Sequence, residues 1–390
     1  MTRTTVPNLI ELSDNDVAII GGGLSGLLTA WRIADVTSNT TVHVFEAKAE
    51  PKWVHHWSFN LSDVPRSLRS ALEPAIRTKW PEYEVRFPKR ERVLDIAYAS
   101  TDDLAIESLL EPYRDSGRIV LHRGRKVEPE EVTAGAVLDA RGYQDRDDTL
   151  IGYQKFVGRR VRLKKPHGLK RPVIMDATVE QIDGYRFMYL LPFDEREVLV
   201  EDTYFSDTPA LSENLIVSRI EAYCADKGWE IESILHSERG VLPMTTATCR
   251  DDKTAEIGLR GGFAISATGF TFPVALQLAE HVAQTIRHKG VSAAEDAVAD
   301  YRQRHIRRER YARLLNRMFF GAADPSKRYV ILQRFYGLRR GLIERFYRND
   351  LTLIDKLRIL VGKPPVPVTR ALYNFSEKRF MRRARARTDS

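Results

Sequence analysis

The stretch 16-DVAII-20 runs without a break into 21-GGGLSGLLTAWRI-33, and the reading of that join decides the fold. Asp16 to Ile20 is a short apolar run of the kind buried inside a parallel sheet. Glycines at 21, 23 and 26 follow in the G-x-G-x-x-G arrangement. Gly21 permits the tight turn, Gly23 lets a pyrophosphate approach the backbone, and Gly26 lets the helix pack on the strand. Leu24 and Ser25 complete the expected cofactor-binding turn, and Leu27, Leu28, Trp31 and Ile33 carry the helix. A second strand, 41-TVHVFE-46, ends in Glu46, placed to hold a ribose hydroxyl pair. An acid there, rather than an arginine, argues for an unphosphorylated ribose, meaning FAD or NAD rather than NADP.

Further pieces of the same domain are scattered along the chain. The run 136-AVLDARGY-143 reads as another buried strand ending in a glycine turn. In 257-IGLRGGFAISATGFTFPVALQLAEHVAQTI-286 a strand leads through glycines, Gly269 among them, to a long helix whose N-terminus could face a flavin ring or its phosphates. Between these pieces, 173-VIMDATVE-180, 185-YRFMYLLPF-193 and 197-EVLVEDTYF-205 alternate apolar and polar residues, as in an antiparallel sheet. Beyond about residue 300 the sequence is helical and basic. In 311-YARLLNRMFF-320 a face of Tyr311, Leu314, Leu315, Met318 and Phe319 is set against arginines. The expected class is α/β: a Rossmann-type FAD-binding domain with an inserted antiparallel β-sheet substrate domain and a C-terminal helical region. The expected boundaries are 14–60, 95–150 and 255–300 for the first, 61–94 and 151–254 for the second, and 301–390 for the third.

The chain has 390 residues, 43% hydrophobic and 29% charged, which describes a folded chain with a large core. Cys224 and Cys249 belong to no ligand-like spacing, so neither a disulfide framework nor a structural zinc site is expected, and a reducing cytoplasm is. The first fifteen residues read as a polar leader without a secretion signal. The longest apolar region, Val17 to Trp31, is interrupted by glycines and falls short of the roughly 18 apolar residues a spanning helix needs. The net charge of +8 concentrates in 159-RRVRLKKPHGLKR-171, 306-IRRERYARLLNRMFF-320 and 378-KRFMRRARAR-387. Such runs favour an anionic partner. They lack any nucleic-acid reading motif, which leaves a phospholipid surface.

The stretch 198-VLVEDTYF-205 poses a separate question. Three aliphatics lead into two adjacent carboxylates, Glu201 and Asp202, with no metal-ligand pattern around them. Strand alternation sends the two acids to opposite faces, one to a cavity and the other to a structural partner. Asp176 is a further candidate buried acid. Trp57, Tyr185, Phe187, Tyr189 and Phe205 are candidates for lining a hydrophobic tunnel.

Several blocks together resemble the bacterial lycopene β-cyclases, flavoproteins of carotenoid biosynthesis. They are 55-HHWSF-59, 80-WPEYEVRFPKR-90, 137-VLDARGY-143, 175-MDATV-179, 184-GYRFMYLLP-192, 200-VEDTYF-205, 315-LNRMFF-320, 333-QRFYGL-338 and 359-ILVGKPPVPV-368. The resemblance implies FAD, reduced in the active form with NAD(P)H as electron source. It implies lycopene and related acyclic carotenoids as substrates, each acyclic end closing to a β-ionone ring to give β-carotene by way of γ-carotene. It also implies a cytoplasmic protein held peripherally on the inner face of the cell membrane. Glu201 matches the family glutamate regarded as essential, and His55 matches the first residue of the family's histidine, threonine, tryptophan, serine, phenylalanine block. His56 replaces the threonine, and Ile265 to Phe270 lacks the histidine and proline that members often carry there, so roles of those residues do not transfer.

Such a closure needs a proton donor, a stabiliser for the carbocation and an acceptor for a different proton. A carboxylic acid kept protonated by an apolar setting suits the first role, and aromatic faces with an electron-rich flavin suit the second. Glu201, Asp202 and His55 are therefore the catalytic candidates, with no metal expected. The scaffold alone also admits a redox flavoenzyme acting on an apolar substrate, or a non-catalytic carotenoid or lipid binder.

Overall fold

In the computed structural model, which describes residues 9–50, 55–143, 151–246, 255–361 and 366–380, the elements that position the site begin with β1 (Val17–Ile20), α1 (Leu24–Val36) and β2 (Val42–Glu46). Next come β3 (His56–Asn60), β4 (Thr78–Trp80), β5 (Tyr83–Phe87), β6 (Arg90–Leu94) and β7 (Tyr98–Asp102). They are followed by β8 (Ile119–Arg123) and β9 (Ala136–Asp139). Four strands, in the order β9-β1-β2-β8, form an all-parallel sheet. Every residue of β1 is buried, because helices and loops cover both faces of such a sheet.

The larger sheet is built from β10 (Ile151–Leu163), β11 (Val173–Asp176), β12 (Tyr185–Pro192), β13 (Glu197–Ser206) and, after α2 (Glu213–Asp226), β14 (Ile231–Thr245). Its order is β14-β10-β13-β12-β11-β5-β6, antiparallel except where β11 runs parallel to β5. A small third sheet pairs β3, β7 and β4.

The chain then returns to the parallel sheet with α3 (Phe272–Lys289), which packs against α1. Leu28, Ile33, Leu278, Ala279 and Val282 share one core there. Each leucine, isoleucine or valine among them contributes about 1.5–3 kcal/mol when fully buried. Arg32 of α1 donates to Glu280 of α3 at 2.7 Å and locks the pair. The C-terminal helices are α4 (Ala294–Arg308), α5 (Arg310–Asn316), α6 (Arg328–Phe335), α7 (Arg340–Tyr347), α8 (Leu353–Leu360) and α9 (Val368–Phe375). Among the described residues no helix is long and apolar enough to cross a membrane.

Three expectations are corrected. The strand at 197–205 is not half-polar: all ten residues of β13 are buried. It lies between β10 and β12 with a core on each face, so alternation separates two cores rather than core from water. Val198, Val200 and Tyr204 join the core under α2, and Leu199 and Phe205 join the aromatic core under the C-terminal helices.

The arginines of 306–320 do not all face solvent either. Arg313 inside α5 and Arg317 at the start of a π-helical turn over 317–322 are both buried. Both pair with the Glu377 carboxylate, and main-chain oxygens add to it, Ile306 for Arg313 and Thr246 and Asn374 for Arg317. Third, Tyr185 does not face the tunnel. It is fully buried among Phe187, Phe205 and Phe319.

The basic run at 159–171 is likewise partly neutralised, since Arg160 and Arg162 pair with Glu197 and Arg159 with Glu221. Cys249, residues 362–365 and the tail beyond Phe380 lie outside the described residues.

Candidate active site

A cavity of about 950 Å³ starts at the glycine turn after β1, passes the front of the large sheet and reaches the C-terminal helices. At its first end, Gly21 takes φ +113°, a conformation costly for any residue with a side chain. A Cβ there would stand 2.7 Å from the Ala140 carbonyl. One on Gly26 would land on the Gly21 carbonyl oxygen, so only glycine lets α1 start this close to the turn. Over Gly23, by contrast, a Cβ would meet nothing within 4 Å, and this open space adjoins a helix N-terminus without a side-chain cap.

The cradle therefore has the shape and the free amides that a pyrophosphate takes. Leu24 and Ser25 line it. Glu46 closes the rim: its Oε2 accepts from Gly22 N–H at 2.8 Å and its Oε1 from Lys48 N–H at 2.9 Å. A carboxylate has lone pairs left for ribose hydroxyls after two such bonds. Gly269, at φ +71°, lines the same cavity and turns the chain into α3. These residues fit a dinucleotide cofactor.

At the other end the walls are apolar, with Ile174, Phe187, Leu199, Phe205, Met244 and Phe335 on them. Glu201 is set among them, 8% exposed, its Oε1 accepting the Thr203 hydroxyl at 2.6 Å. Burial, reinforced by the charges of Glu238 and Asp202 and opposed by the Thr203 hydroxyl, pushes its pKa up to about 8. That direction favours the protonated carboxyl.

Asp202 points the other way. Both its oxygens accept from Arg186, at 2.8 to 3.2 Å, and Oδ2 also accepts the Tyr204 hydroxyl at 2.8 Å. Burial pushes Asp202 upward against the pull of Arg186. For Arg186 burial acts downward and Asp202 outweighs it, so the two-point geometry is that of an ion pair. Asp176 is also fully buried, but it is tied to Thr178 and Tyr223 and does not line the cavity.

His55 lines the cavity with its main-chain N–H on Asp103 at 2.6 Å and its ring tilted against Trp57. The histidine that reaches an acid of the large sheet is its neighbour. His56 N–H donates to Glu238 Oε2 at 3.1 Å and its Nδ1 lies 3.3 Å from the same oxygen. Glu238, His236 and Gly158 carry no motif, and sequence reasoning missed them. For Glu238 and Gly158 the signal is a shared row of the sheet with Glu201, which exists once the strands are paired. His56, His236 and Glu238 bring donor atoms within 4.8 Å of one another. The Arg160 guanidinium, 3.4 Å from His56 Nε2, sets a fixed positive charge against a cation there.

A family profile described as "Lycopene cyclase protein" matches residues 16–373. The lycopene beta-cyclase of Paracoccus sp. is 38% identical over 378 residues, covering 93% of this chain and 98% of that protein. That of Pantoea ananas is 34% identical over 370 residues, covering 92% and 97%. Among solved structures, a geranylgeranyl bacteriochlorophyll reductase-like protein from Thermoplasma acidophilum gives a TM-score of 0.61 at 13% identity, covering 94% of this chain and 100% of that one. The p-nitrophenol 4-monooxygenase PnpA of Pseudomonas putida gives 0.59 at 14% identity, covering 88% and 99%. At such identities the likeness speaks for the fold alone: α/β, with a Rossmann-type domain as in FAD-dependent monooxygenases, a second sheet and a helical C-terminal region. The sequence match runs nearly end to end, and by it the chain belongs to the lycopene cyclase family.

Proposed function

We propose that this protein is a lycopene β-cyclase, an intramolecular lyase that closes the acyclic ends of lycopene to β-ionone rings, giving β-carotene by way of γ-carotene without net redox change. The observation that carries the reading is Glu201, a buried carboxyl on an apolar wall of the cavity that also contains the dinucleotide cradle. Its proton goes to the terminal isopropylidene double bond. The faces of Phe187, Tyr189 and Phe205 lie on the same cavity and suit the carbocation that follows. Ring closure and loss of a different proton complete the reaction.

Gly21, Gly23, Leu24, Ser25, Gly26, Glu46 and Gly269 are the residues to hold FAD. Reduced FAD, replenished by NAD(P)H, supplies an electron-rich ring that favours nearby positive charge. The walls keep water from the cation, and water would otherwise trap it as an alcohol.

The substrate dissolves in lipid, so we assign the protein peripherally to the inner face of the membrane. The C-terminal helices supply the docking face. Leu353 and Ile354 of α8 are 77% and 78% exposed, and Leu372 of α9 is 68% exposed. The cations Arg358 and Arg370 flank them, while Ile359, Leu360 and Ala371 of the same two helices line the cavity. An apolar face rimmed by arginines suits an anionic lipid surface.

The test is pigment analysis of a lycopene-accumulating bacterial host expressing the chain, where γ-carotene and then β-carotene are expected. Turnover under anaerobic conditions with fully reduced flavin separates this reading from a redox one. A requirement for oxygen, or stoichiometric consumption of NAD(P)H, would overturn it.

A further inference from the structure

Glu201 shares its row of the sheet with a second acid. On β10, Gly158 lies opposite Glu201 of β13 on one side and opposite Glu238 of β14 on the other. Residues directly opposed in register share a face. Glu238, Gly158 and Glu201 therefore make one transverse row with a carboxyl at each end, and the Leu199 side chain reaches the same space over Gly158, its Cδ1 3.3 Å from where a Cβ would stand.

Strand spacing sets the two glutamate backbones roughly 10 Å apart. Side chains leaning in from both ends can close that gap over a glycine. A Cβ on Gly158 would stand 3.1 Å from Glu238 Cγ and 3.3 Å from its Oε1, so Glu238 already leans across it. Both acids are buried and both line the cavity.

Their partners differ. Glu201 accepts a neutral hydroxyl from Thr203. Glu238 accepts the His56 main-chain N–H and meets the His56 ring, which has the Arg160 guanidinium behind it. Donors and a nearby cation favour the ionised form of a carboxyl, and two close carboxyls cannot both ionise cheaply.

We propose that Glu238 is a second catalytic residue of this site: it takes the proton that leaves the ring and returns it across Gly158 to Glu201. The proposal rests on the cyclase reading above. In the first step the Glu201 O–H bond breaks and a C–H bond forms at the terminal double bond. The electron pair of the next double bond then makes the ring-closing C–C bond. Finally the C–H bond beside the new cation breaks, its electrons become the ring double bond, and the proton goes to Glu238. One proton passing from Glu238 to Glu201 restores both acids for the second end, and no oxidant or reductant is consumed.

The test uses full-length enzyme with reduced FAD and lycopene in phospholipid vesicles, comparing wild type, Glu238→Gln, Glu238→Asp and Gly158→Ala. Glu238→Gln should lower kcat about 100-fold or more, the scale of general base catalysis, with KM and FAD binding changed less than threefold. Glu238→Asp should recover part of the loss. The groups facing the pair are His56, His236, Arg160, Thr203 and Tyr189, with Asp202 behind. All remain in the Gln variant, so removing the Glu238 charge should move the alkaline limb of the residual activity to lower pH. Gly158→Ala, which keeps both acids but parts them, should move that limb the same way.

A Glu238→Gln enzyme within threefold of wild type in kcat, or an alkaline limb that stays in place in both variants, would overturn the proposal. So would inactivation by EDTA with recovery on adding zinc, which would make the histidine cluster a metal site. Failure of wild type itself to form rings would instead overturn the cyclase reading.

Discussion

The two faces of β13 put the same functional group to opposite uses one residue apart. On the back, under α2, Asp202 is gripped by Arg186 and by the Tyr204 hydroxyl, to which Arg219 also donates at 2.9 Å. On the front, Glu201 meets a hydroxyl, apolar walls and the charge of Glu238. Burial is nearly equal on the two faces, so burial alone does not make an acid reactive. What differs is the partner: a guanidinium fork consumes the charge of one carboxyl, and its absence among the contacts of the other leaves a proton to give.

The largest break in this comparison should come from Glu201→Gln. The amide keeps the shape and loses the transferable proton, so ring formation should fall by about 10²- to 10⁴-fold while FAD binding persists. Steady-state pigment analysis with a flavin titration checks both halves. Retention of more than a tenth of the wild-type rate would return the acid role to another group.

Asp202→Asn should act on folding instead. Removing one partner of a buried ion pair strands the other, at about 3–5 kcal/mol. The urea midpoint should drop accordingly, and kcat per folded molecule should stay within threefold of wild type. A normal midpoint with lost turnover would place the reactive acid on the back face.

How much of this was legible in sequence follows from the range of the interactions. The β1-α1-β2 unit is local: strand, glycine spacing, helix and Glu46 lie within some thirty residues, and each glycine has a steric reason visible in the pattern. The opposite orientation of Glu201 and Asp202 was legible too, since alternation is a property of one strand. The fate of the two acids was not. It depends on Arg186 and Gly158, brought in by the register of β12 and β10.

Glu238 was hidden more deeply. Its stretch, 231-IESILHSERG-240, is charged and gives little strand signal, because β14 lies at the edge of the sheet with one face toward solvent. The arginines of 306–320 misled for a related reason. Glu377, which pairs with Arg313 and Arg317, and the Thr246 and Asn374 carbonyls, which accept from Arg317, come from distant parts of the chain.

The pH dependence of stability sharpens the contrast with a smaller effect. The Glu201 carboxyl titrates near 4.5 when unfolded and at about 8 in the fold. Below the lower value both states hold the proton. Between the two only the folded state does, so stability falls as pH rises from about 5 to 8 and then levels. In Glu201→Gln this slope is gone, and the variant should gain on wild type through that window in paired urea titrations. An unchanged slope would mean that Glu201 is ionised in the folded protein.

The finest test uses the hydroxyl that each acid finds two residues along its own face, Thr203 for Glu201 at 2.6 Å and Tyr204 for Asp202 at 2.8 Å. Tyr204→Phe removes a bond to a charged acceptor and should cost about 1.5–3 kcal/mol with the pH–rate profile unmoved. Thr203→Val keeps the volume and removes a bond to a carboxyl that is neutral at pH 7, at about 0.5–1.5 kcal/mol. The Thr203 hydroxyl holds the Glu201 pKa down, so its loss should carry the alkaline limb upward by a fraction of a unit. If Tyr204→Phe moved that limb as far as Thr203→Val did, the backbone of β13 would not insulate its two faces, and the two acids would have to be treated as one coupled site.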